Sequence, residues 1–265
     1  MKLEFDYRMN LYYSSPVSKC HFTIKCIPKD TARQKLLSHT IELTPHAPYS
    51  VGEDSNGNKQ IYGRVDTPHD FFSYHIFGDV EIYASDFEET AKEGRIALYR
   101  YPFGKCIPKE ALTAYFSTFD LSGFENDLDK SLYIMHKLHG DFSYVPKTTE
   151  VTTDAETSFK MGVGVCQDYA HILITLLRMA KIPARYVCGL LVGEGESHAW
   201  VEALVGDIWI ALDPTHDCRV YENYIKLGDG RDATECAINR GILRGGGAQR
   251  QEISSRVTSP TLISQ

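Results

Sequence analysis

GVGVCQDYAH, residues 162–171, places a cysteine between a glycine-rich turn and an apolar repeat of helical spacing. The repeat continues to Ala180, and Pro183 follows it. The pattern predicts that Cys166 lies on the first turn of a helix, where free backbone N–H groups and the positive end of the helix favour a thiolate. The same N–H groups could bind an oxyanion, so this stretch predicts a nucleophile and part of an oxyanion hole.

Two alternating segments further along the chain predict a β-hairpin that could supply a base. Residues 197–203 (SHAWVEA) and 208–214 (IWIALDP) flank a tight turn at residues 205–208. If the loop has two residues, His198 and Asp213 are diagonal neighbours on one face, roughly 7–8 Å apart at Cα. An odd-length loop would place them on opposite faces. The two-residue register therefore permits a Cys166–His198–Asp213 triad, with His198 as base and Asp213 fixing its tautomer.

The motifs GVCQDYAH, SHAWVEA and ALDPT, in this order and at this spacing, resemble the transglutaminase-like superfamily, and more narrowly its bacterial branch that is similar to cysteine proteases. The resemblance implies that Cys166, His198 and Asp213 are the catalytic residues. It also implies an α+β fold, in which an N-terminal antiparallel β-sandwich-like domain precedes a papain-like catalytic domain. Residues 12–17 (YYSSPV) and 27–45 resemble the N-terminal β domain of this branch.

The element pattern agrees with a division of the chain into residues 1–105 and 106–265. The first part predicts short strands, including 3–13 and 18–27 on either side of Ser15-Pro16, and residues 99–104 predict a linker. The second part predicts helices over 109–119 and 127–139, the latter with Asp127 as N-cap. A further short helix is expected to start at a capping box around Asp154 and to end at Gly162.

The oxyanion donors are only partly predicted by the sequence. The backbone N–H of Cys166 is the first expected donor, and Tyr144, Gln167 and Trp200 are weak candidates for the second donor or for substrate contact. Tyr144 is considered because animal transglutaminases use an aromatic donor from another segment. His216, just after the ALDPT motif, is the best rival to His198 as the base.

Composition excludes several classes of function. A net charge of −7 argues against a nucleic-acid partner. Seven cysteines without paired spacing predict free thiols, and the histidine spacings of the N-terminal half match no zinc motif, so neither a metal nor a cofactor is expected. No apolar run long enough for a membrane span and no signal peptide is evident, so a cytoplasmic location without membrane association is expected.

The predicted activity is acyl transfer by a cysteine through a thioester, acting on a peptide or protein substrate. A cysteine protease or amidase is the first interpretation. A transglutaminase that transfers the acyl group to a lysine amine is the alternative, because the triad serves both reactions. A non-catalytic binding domain that retains the fold is a third hypothesis. The sequence does not indicate an oligomeric state.

Overall fold

One long strand, β1, organises the first sheet of the computed structural model, which describes residues 1–85 and 88–259. β1 pairs with β4 and β5, and these pair in turn with β3 and β2. The bounds of these strands are β1 Lys2–Ile24, β2 Gln34–Thr44, β3 Tyr49–Glu53, β4 Lys59–Val65 and β5 His69–Ile82. All the pairings are antiparallel, as the sequence predicted.

The alternation of β1 explains its place in the core. Leu3, Phe5, Tyr7 and Met9 are buried on one face, while residues between them are exposed or half-buried. The prediction of two strands separated at Ser15-Pro16 was wrong, since β1 continues through this position with only a shift in its pairing with β5. Backbone hydrogen bonds from residues 14 and 15 to residues 248 and 246 keep this part of the strand extended.

The second sheet carries the candidate site. Its strands are antiparallel and follow the order β13-β12-β11-β9-β14, with β6 paired to β12. The bounds are β6 Glu89–Thr90, β9 Ala184–Leu191, β11 His198–Val205, β12 Ile208–Asp213, β13 Cys218–Arg219 and β14 Tyr224–Gly230. A short parallel pair, β7 Ser143–Tyr144 and β8 Val163–Gly164, lies apart from both sheets.

The helices cover the second sheet. Their bounds are α1 Glu93–Arg100, α2 Glu110–Phe116, α3 Asp127–Asp141, α4 Ala155–Met161 and α5 Cys166–Met179. The central helix α5 is buried along most of its length, including Leu173 and Leu176. This helix follows the predicted apolar repeat, because that repeat supplies the side chains that pack on the sheet. The α+β fold class is therefore confirmed.

Two details of the helices differ from the prediction. Tyr99 was assigned to a linker, but it lies in α1 and is 3% exposed, packed edge-on against Trp209 at 5.3 Å between ring centroids. The N-cap of α3 is Asn126 rather than Asp127, because the Asn126 side chain accepts a hydrogen bond from the backbone N–H of Asp129. None of the helices in the described part of the chain is long and apolar enough to cross a membrane.

The end of the chain returns to the first sheet. Strands β15 Asn239–Gly245 and β16 Gln249–Thr258 both pair with β1, and β16 also pairs with the short strand β10 Gly193–Gly195. The predicted boundary at residue 105 stays a prediction, but residues 239–258 do not belong to the sheet that carries the candidate site. Residues 239–258 return to the first sheet because β1 has backbone donors and acceptors along both edges. β5 pairs with one edge, and β16 pairs with the other.

The first sheet also docks on the outer strand of the second. The Gln34 side-chain amide donates to the backbone oxygen of Lys226 at 2.7 Å, and the Asn58 amide donates to that of Asp229 at 2.8 Å. These buried contacts use the free edge of β14 and fix the second sheet against the N-terminal strands. The buried core is continuous across both parts of the chain.

Candidate active site

The turn before α5 sets the position of Cys166. Gly162 ends α4 with a φ of 71°, a left-handed conformation that glycine adopts without strain. After β8, Val165 is the N-cap, and Cys166 is the first residue of α5, partly exposed. The predicted position of the cysteine on the first helical turn is confirmed. Its backbone N–H is therefore among those without a partner inside the helix.

The Asp168 side chain holds this turn in place through hydrogen bonds. Its buried carboxylate accepts hydrogen bonds from the backbone N–H of Val165 at 2.8 Å and from the Thr149 hydroxyl at 2.6 Å. A side chain at Gly164 would collide with Asp168, since an added Cβ would lie 2.6 Å from its Oδ2. Burial raises the pKa of Asp168, and these two hydrogen bonds oppose the rise. Gly164 and Asp168 thus determine how the chain enters α5.

The hairpin of β11 and β12 has the predicted register. Val205 pairs with Ile208 and Val201 with Leu212, so the loop consists of two residues, and Gly206 adopts a positive φ of 62°. His198 and Asp213 consequently lie on the same face. Nε2 of His198 is 2.7 Å from Oδ2 of Asp213, while the His198 side chain is 11% exposed and that of Asp213 is fully buried.

Asp213 is held by more groups than the sequence predicted. Oδ2 also accepts from the Tyr224 hydroxyl at 2.8 Å and lies 2.7 Å from Nδ1 of His216. Oδ1 accepts from the backbone N–H groups of Thr215 at 2.8 Å and His216 at 3.3 Å. These contacts satisfy both oxygens of a buried carboxylate, which would otherwise be costly to desolvate.

The electrostatics of the pair follow from these contacts. Burial would lower the pKa of His198, but its hydrogen bonds to Asp213 and Cys166 raise it to about 10. Burial would raise the pKa of Asp213, but the bonds from His198, His216 and Tyr224 hold it well below its usual range. The Cys166 thiol therefore interacts with the His198 ring. Because Nε2 is taken by Asp213, Nδ1 is the ring nitrogen left to face the thiol.

The three weaker candidates have different surroundings. Tyr144 is 52% exposed on β7, whose partner β8 leads directly into Cys166. Burial together with the charges of Cys166 and Glu196 raises the pKa of Tyr144. Gln167 is half-buried next to Cys166. Trp200 is 1% exposed and its ring packs in the core, with its centroid 6.3 Å from that of His198, and its contact with substrate stays a prediction.

Sequence reasoning missed two members of the site. His216 was considered only as a rival base, and Tyr224 was not considered. His216 reaches Asp213 through a tight turn after β12, and the spacing of three residues from Asp213 could have indicated this contact. Tyr224 comes from β14, whose position relative to β12 depends on the whole sheet order. Two histidines of α3 bind the loop that follows β12. His136 binds the Asp217 carboxylate, and His139 binds the backbone oxygen of residue 214.

Comparison with known proteins places this site in a family. Residues 118–214 match the transglutaminase-like superfamily, and residues 3–81 match the bacterial transglutaminase-like N-terminal region. Both matches agree with the turn before Cys166, the β11–β12 hairpin and the first sheet of the structure. The chain belongs to the transglutaminase-like superfamily and carries the N-terminal region of its bacterial members.

Individual relatives agree with this assignment. An uncharacterised protein of Mycobacterium leprae is 41% identical over 125 residues, which are 43% of this chain and 44% of that protein. A protein-glutamine gamma-glutamyltransferase of Pseudomonas aeruginosa is 33% identical over 93 residues, 29% of this chain and 14% of that enzyme. The chain therefore spans less than half the length of both. The crystal structure of a candidate cysteine protease from Cytophaga hutchinsonii has a TM-score of 0.81 at 22% identity, covering 98% of this chain and 91% of that one, and this similarity shows the fold.

Proposed function

We propose that this protein is a cysteine-dependent acyl-transfer enzyme that acts on peptide or amide bonds, with hydrolysis as its main reaction. The observation that carries the proposal is the 2.7 Å contact between Nε2 of His198 and Oδ2 of Asp213, which leaves Nδ1 of His198 for the thiol of Cys166 at the start of α5. This arrangement is that of a nucleophile, a base and a group that orients the base.

The chemistry follows from these positions. The Cys166 thiolate attacks the carbonyl carbon of the substrate and forms a C–S bond while the carbonyl oxygen gains the negative charge. The tetrahedral intermediate collapses as the C–N bond breaks, and the leaving amine takes the proton from Nδ1 of His198. Water then attacks the thioester and gives a proton to His198, and the C–S bond breaks to release a carboxylic acid and restore the thiolate.

The oxyanion is stabilised by two donors in this mechanism. The first is the backbone N–H of Cys166, which has no partner within α5 because it lies on the first turn. The second is the Tyr144 hydroxyl, supported by the pairing of Tyr144 with Gly164, two residues before Cys166, and by its exposure. Gln167 follows the cysteine on α5 and receives no role.

Transamidation is the second candidate reaction. It is favoured by the similarity to the Pseudomonas aeruginosa protein-glutamine gamma-glutamyltransferase over 93 residues. The thioester is common to both reactions, and the second nucleophile decides the product. A lysine amine would form an isopeptide bond where water would form an acid.

The test is a screen of a peptide library by mass spectrometry, with and without a biotinylated primary amine. A mass gain of one water across a cleaved bond, or loss of ammonia from an amide with addition of water, reports hydrolysis. Incorporation of the amine reports transamidation. Cys166→Ala is the matched control, and it must show neither product. Products that form equally with this variant would contradict the proposal, as would the absence of any product from the wild type on a library that covers all side-chain classes.

A further inference from the structure

Three side-chain donor atoms converge at the candidate active site. Nε2 of His198, Nδ1 of His216 and Oδ2 of Asp213 all lie within 4.8 Å of one another. Both nitrogens are 2.7 Å from the same carboxylate oxygen. The sequence predicted no metal ligands, since it did not bring His216 to Asp213. Two imidazoles and a carboxylate are nevertheless a common ligand set for zinc and related ions.

We propose that His198, Asp213 and His216 form a binding site for one divalent transition-metal ion, best suited to Zn²⁺, which reversibly blocks the enzyme. The binding rests on the geometry alone, whereas the block rests on the proposed function. The three protein ligands leave a fourth position of a tetrahedral ion for water. To hold a tetrahedral ion about 2.0–2.2 Å from each donor, the two imidazoles would move away from the carboxylate oxygen and turn until their nitrogens face the ion.

His216 provides the access that the other two ligands lack. Its side chain is 48% exposed, whereas that of His198 is 11% exposed and that of Asp213 is fully buried. An ion from solvent would meet His216 first and then the shared carboxylate. The backbone N–H groups of Thr215 and His216 bind the other carboxylate oxygen, Oδ1, and hold the carboxylate in place while Oδ2 binds the ion.

Metal binding would remove the base from the reaction. Each imidazole must bind as the neutral ring through the nitrogen that now faces Asp213, so a protonated His198 releases one proton on binding. Its remaining proton stays on Nδ1, the side of the thiol. That nitrogen can then no longer accept a proton from Cys166, and the thiolate loses its imidazolium partner. The ion thus blocks catalysis without touching the sulfur.

The site is distinct from the thiols of the protein. Nε2 of His198, which would bind the ion, is bound to Asp213, so Nδ1 on the opposite side of the ring is the nitrogen available to Cys166. Cys218 is another thiol close to the proposed site and could bind zinc instead. Its sulfur lies 3.7 Å from the Tyr224 hydroxyl, which itself binds Asp213. Generic binding of zinc to a free thiol is therefore the competing explanation that an experiment must separate.

The experiment is calorimetric titration of the full chain with ZnCl₂ alone, in the wild type and in His216→Gln, Cys166→Ser and Cys218→Ser. We expect one ion per chain in the wild type and at least about tenfold weaker binding in His216→Gln. Cys166→Ser and Cys218→Ser should bind as tightly as the wild type. Loss of binding in either cysteine variant, or binding by His216→Gln equal to the wild type, would overturn the site.

A second measurement uses the wild type alone and so does not depend on the folding of a variant. The absorption spectrum of the Co²⁺-substituted protein should show the visible bands of a four-coordinate ion without a thiolate-to-cobalt charge-transfer band. A strong charge-transfer band would assign the ion to a cysteine and contradict the proposal. Because both measurements detect binding rather than turnover, they stand even if the proposed acyl transfer fails. Inhibition by Zn²⁺ that EDTA reverses and that is at least about tenfold weaker in His216→Gln would link the site to activity, whereas equal inhibition of the two proteins would contradict the block.

Discussion

Two clusters of buried charge lie on the same sheet, and only one of them has an accessible nucleophile. The first is the His198–Asp213 pair beside Cys166. The second, called here the buried ion cluster, comprises Lys29, Arg185, Glu202, Lys226 and Asp229. Glu202 lies four residues after His198 on β11, so one strand contributes to both.

The charges of the buried ion cluster pair with one another and with Glu89, which binds Arg185 at 2.6 Å. Arg185 binds Glu202 and Asp229, and Lys226 binds Glu202 at 2.7 Å and Asp229 at 3.1 Å. Despite burial, pairing with these carboxylates raises the pKa of Arg185 and Lys226. A cavity of about 250 Å³ opens beside this cluster, lined in part by Lys29, Arg185 and Asp229. A strongly shifted pKa and a cavity therefore both occur away from the proposed active site, which differs in having the partly exposed thiol of Cys166.

The largest effect should come from Cys166→Ala. Because the thiolate is the proposed nucleophile, this substitution should reduce kcat/KM by at least about 10⁴-fold on any substrate that the library screen identifies. The free energy of unfolding should change little, since Cys166 is only partly buried. Steady-state kinetics and urea unfolding check the two expectations. If activity survives this substitution, Cys166 is not the nucleophile, and the His198–Asp213 pair no longer differs from the buried ion cluster in having one.

The opposite result is expected at the buried ion cluster. Glu202→Ala removes one of the two carboxylates that Arg185 and Lys226 share and should lower the free energy of unfolding by about 3–5 kcal/mol. Urea unfolding measures the change. The matched control is Glu194→Ala, since Glu194 pairs with Arg256 at the surface, with side chains 73% and 65% exposed. The control should stay within about 0.5 kcal/mol of the wild type. Equal effects in both variants would mean that the cluster does not stabilise the sheet.

The pH dependence of stability gives a sharper comparison. The pKa of His198 is raised to about 10 from its ordinary 6.5, so its favourable contribution is complete below pH 6.5 and is lost as the pH rises towards 10. The pKa of Asp213 is lowered, so its contribution is present above its ordinary value and is lost as the pH falls through the folded value. The pair should therefore stabilise the fold most between the ordinary pKa of Asp213, 3.8, and that of His198, 6.5.

His198→Gln tests this expectation. The difference in unfolding free energy between wild type and variant should be on the order of a few kcal/mol at pH 6 and should shrink by pH 9.5. Urea unfolding at both pH values measures it. A difference that stays constant would mean that His198 is not held as a cation by Asp213 and the thiol.

The smallest effect should come from Tyr224→Phe. It removes one of several donors to Asp213 while the ring stays packed on Trp200, so kcat/KM should fall by about tenfold. Tyr221→Phe is the matched control, because Tyr221 is 60% exposed. Kinetics of the two variants under one set of conditions would check the difference. A loss as large as that of Cys166→Ala, or no loss at all, would contradict the role assigned to the Tyr224 hydroxyl.

The sequence predicted the parts of the site that local patterns determine. The position of Cys166 follows from a glycine turn and an apolar repeat, and the His198–Asp213 pairing follows from the period of two in a short hairpin. Tyr224 could not be predicted, because β14 joins the sheet beside β9 rather than beside β12. The return of residues 239–258 to β1 was also missed, since pairing between distant segments leaves no local pattern.

The rate of iodoacetamide alkylation at neutral pH tests the central claim most directly. Cys166 and Cys218 are both partly exposed, so Cys218 is an internal control within the same chain. Site mapping by mass spectrometry should show that Cys166 reacts at least about tenfold faster than Cys218 in the wild type. In His198→Ala this advantage should disappear. If Cys166 reacts no faster than Cys218, or if the substitution changes nothing, an activated cysteine–histidine pair does not exist at this site.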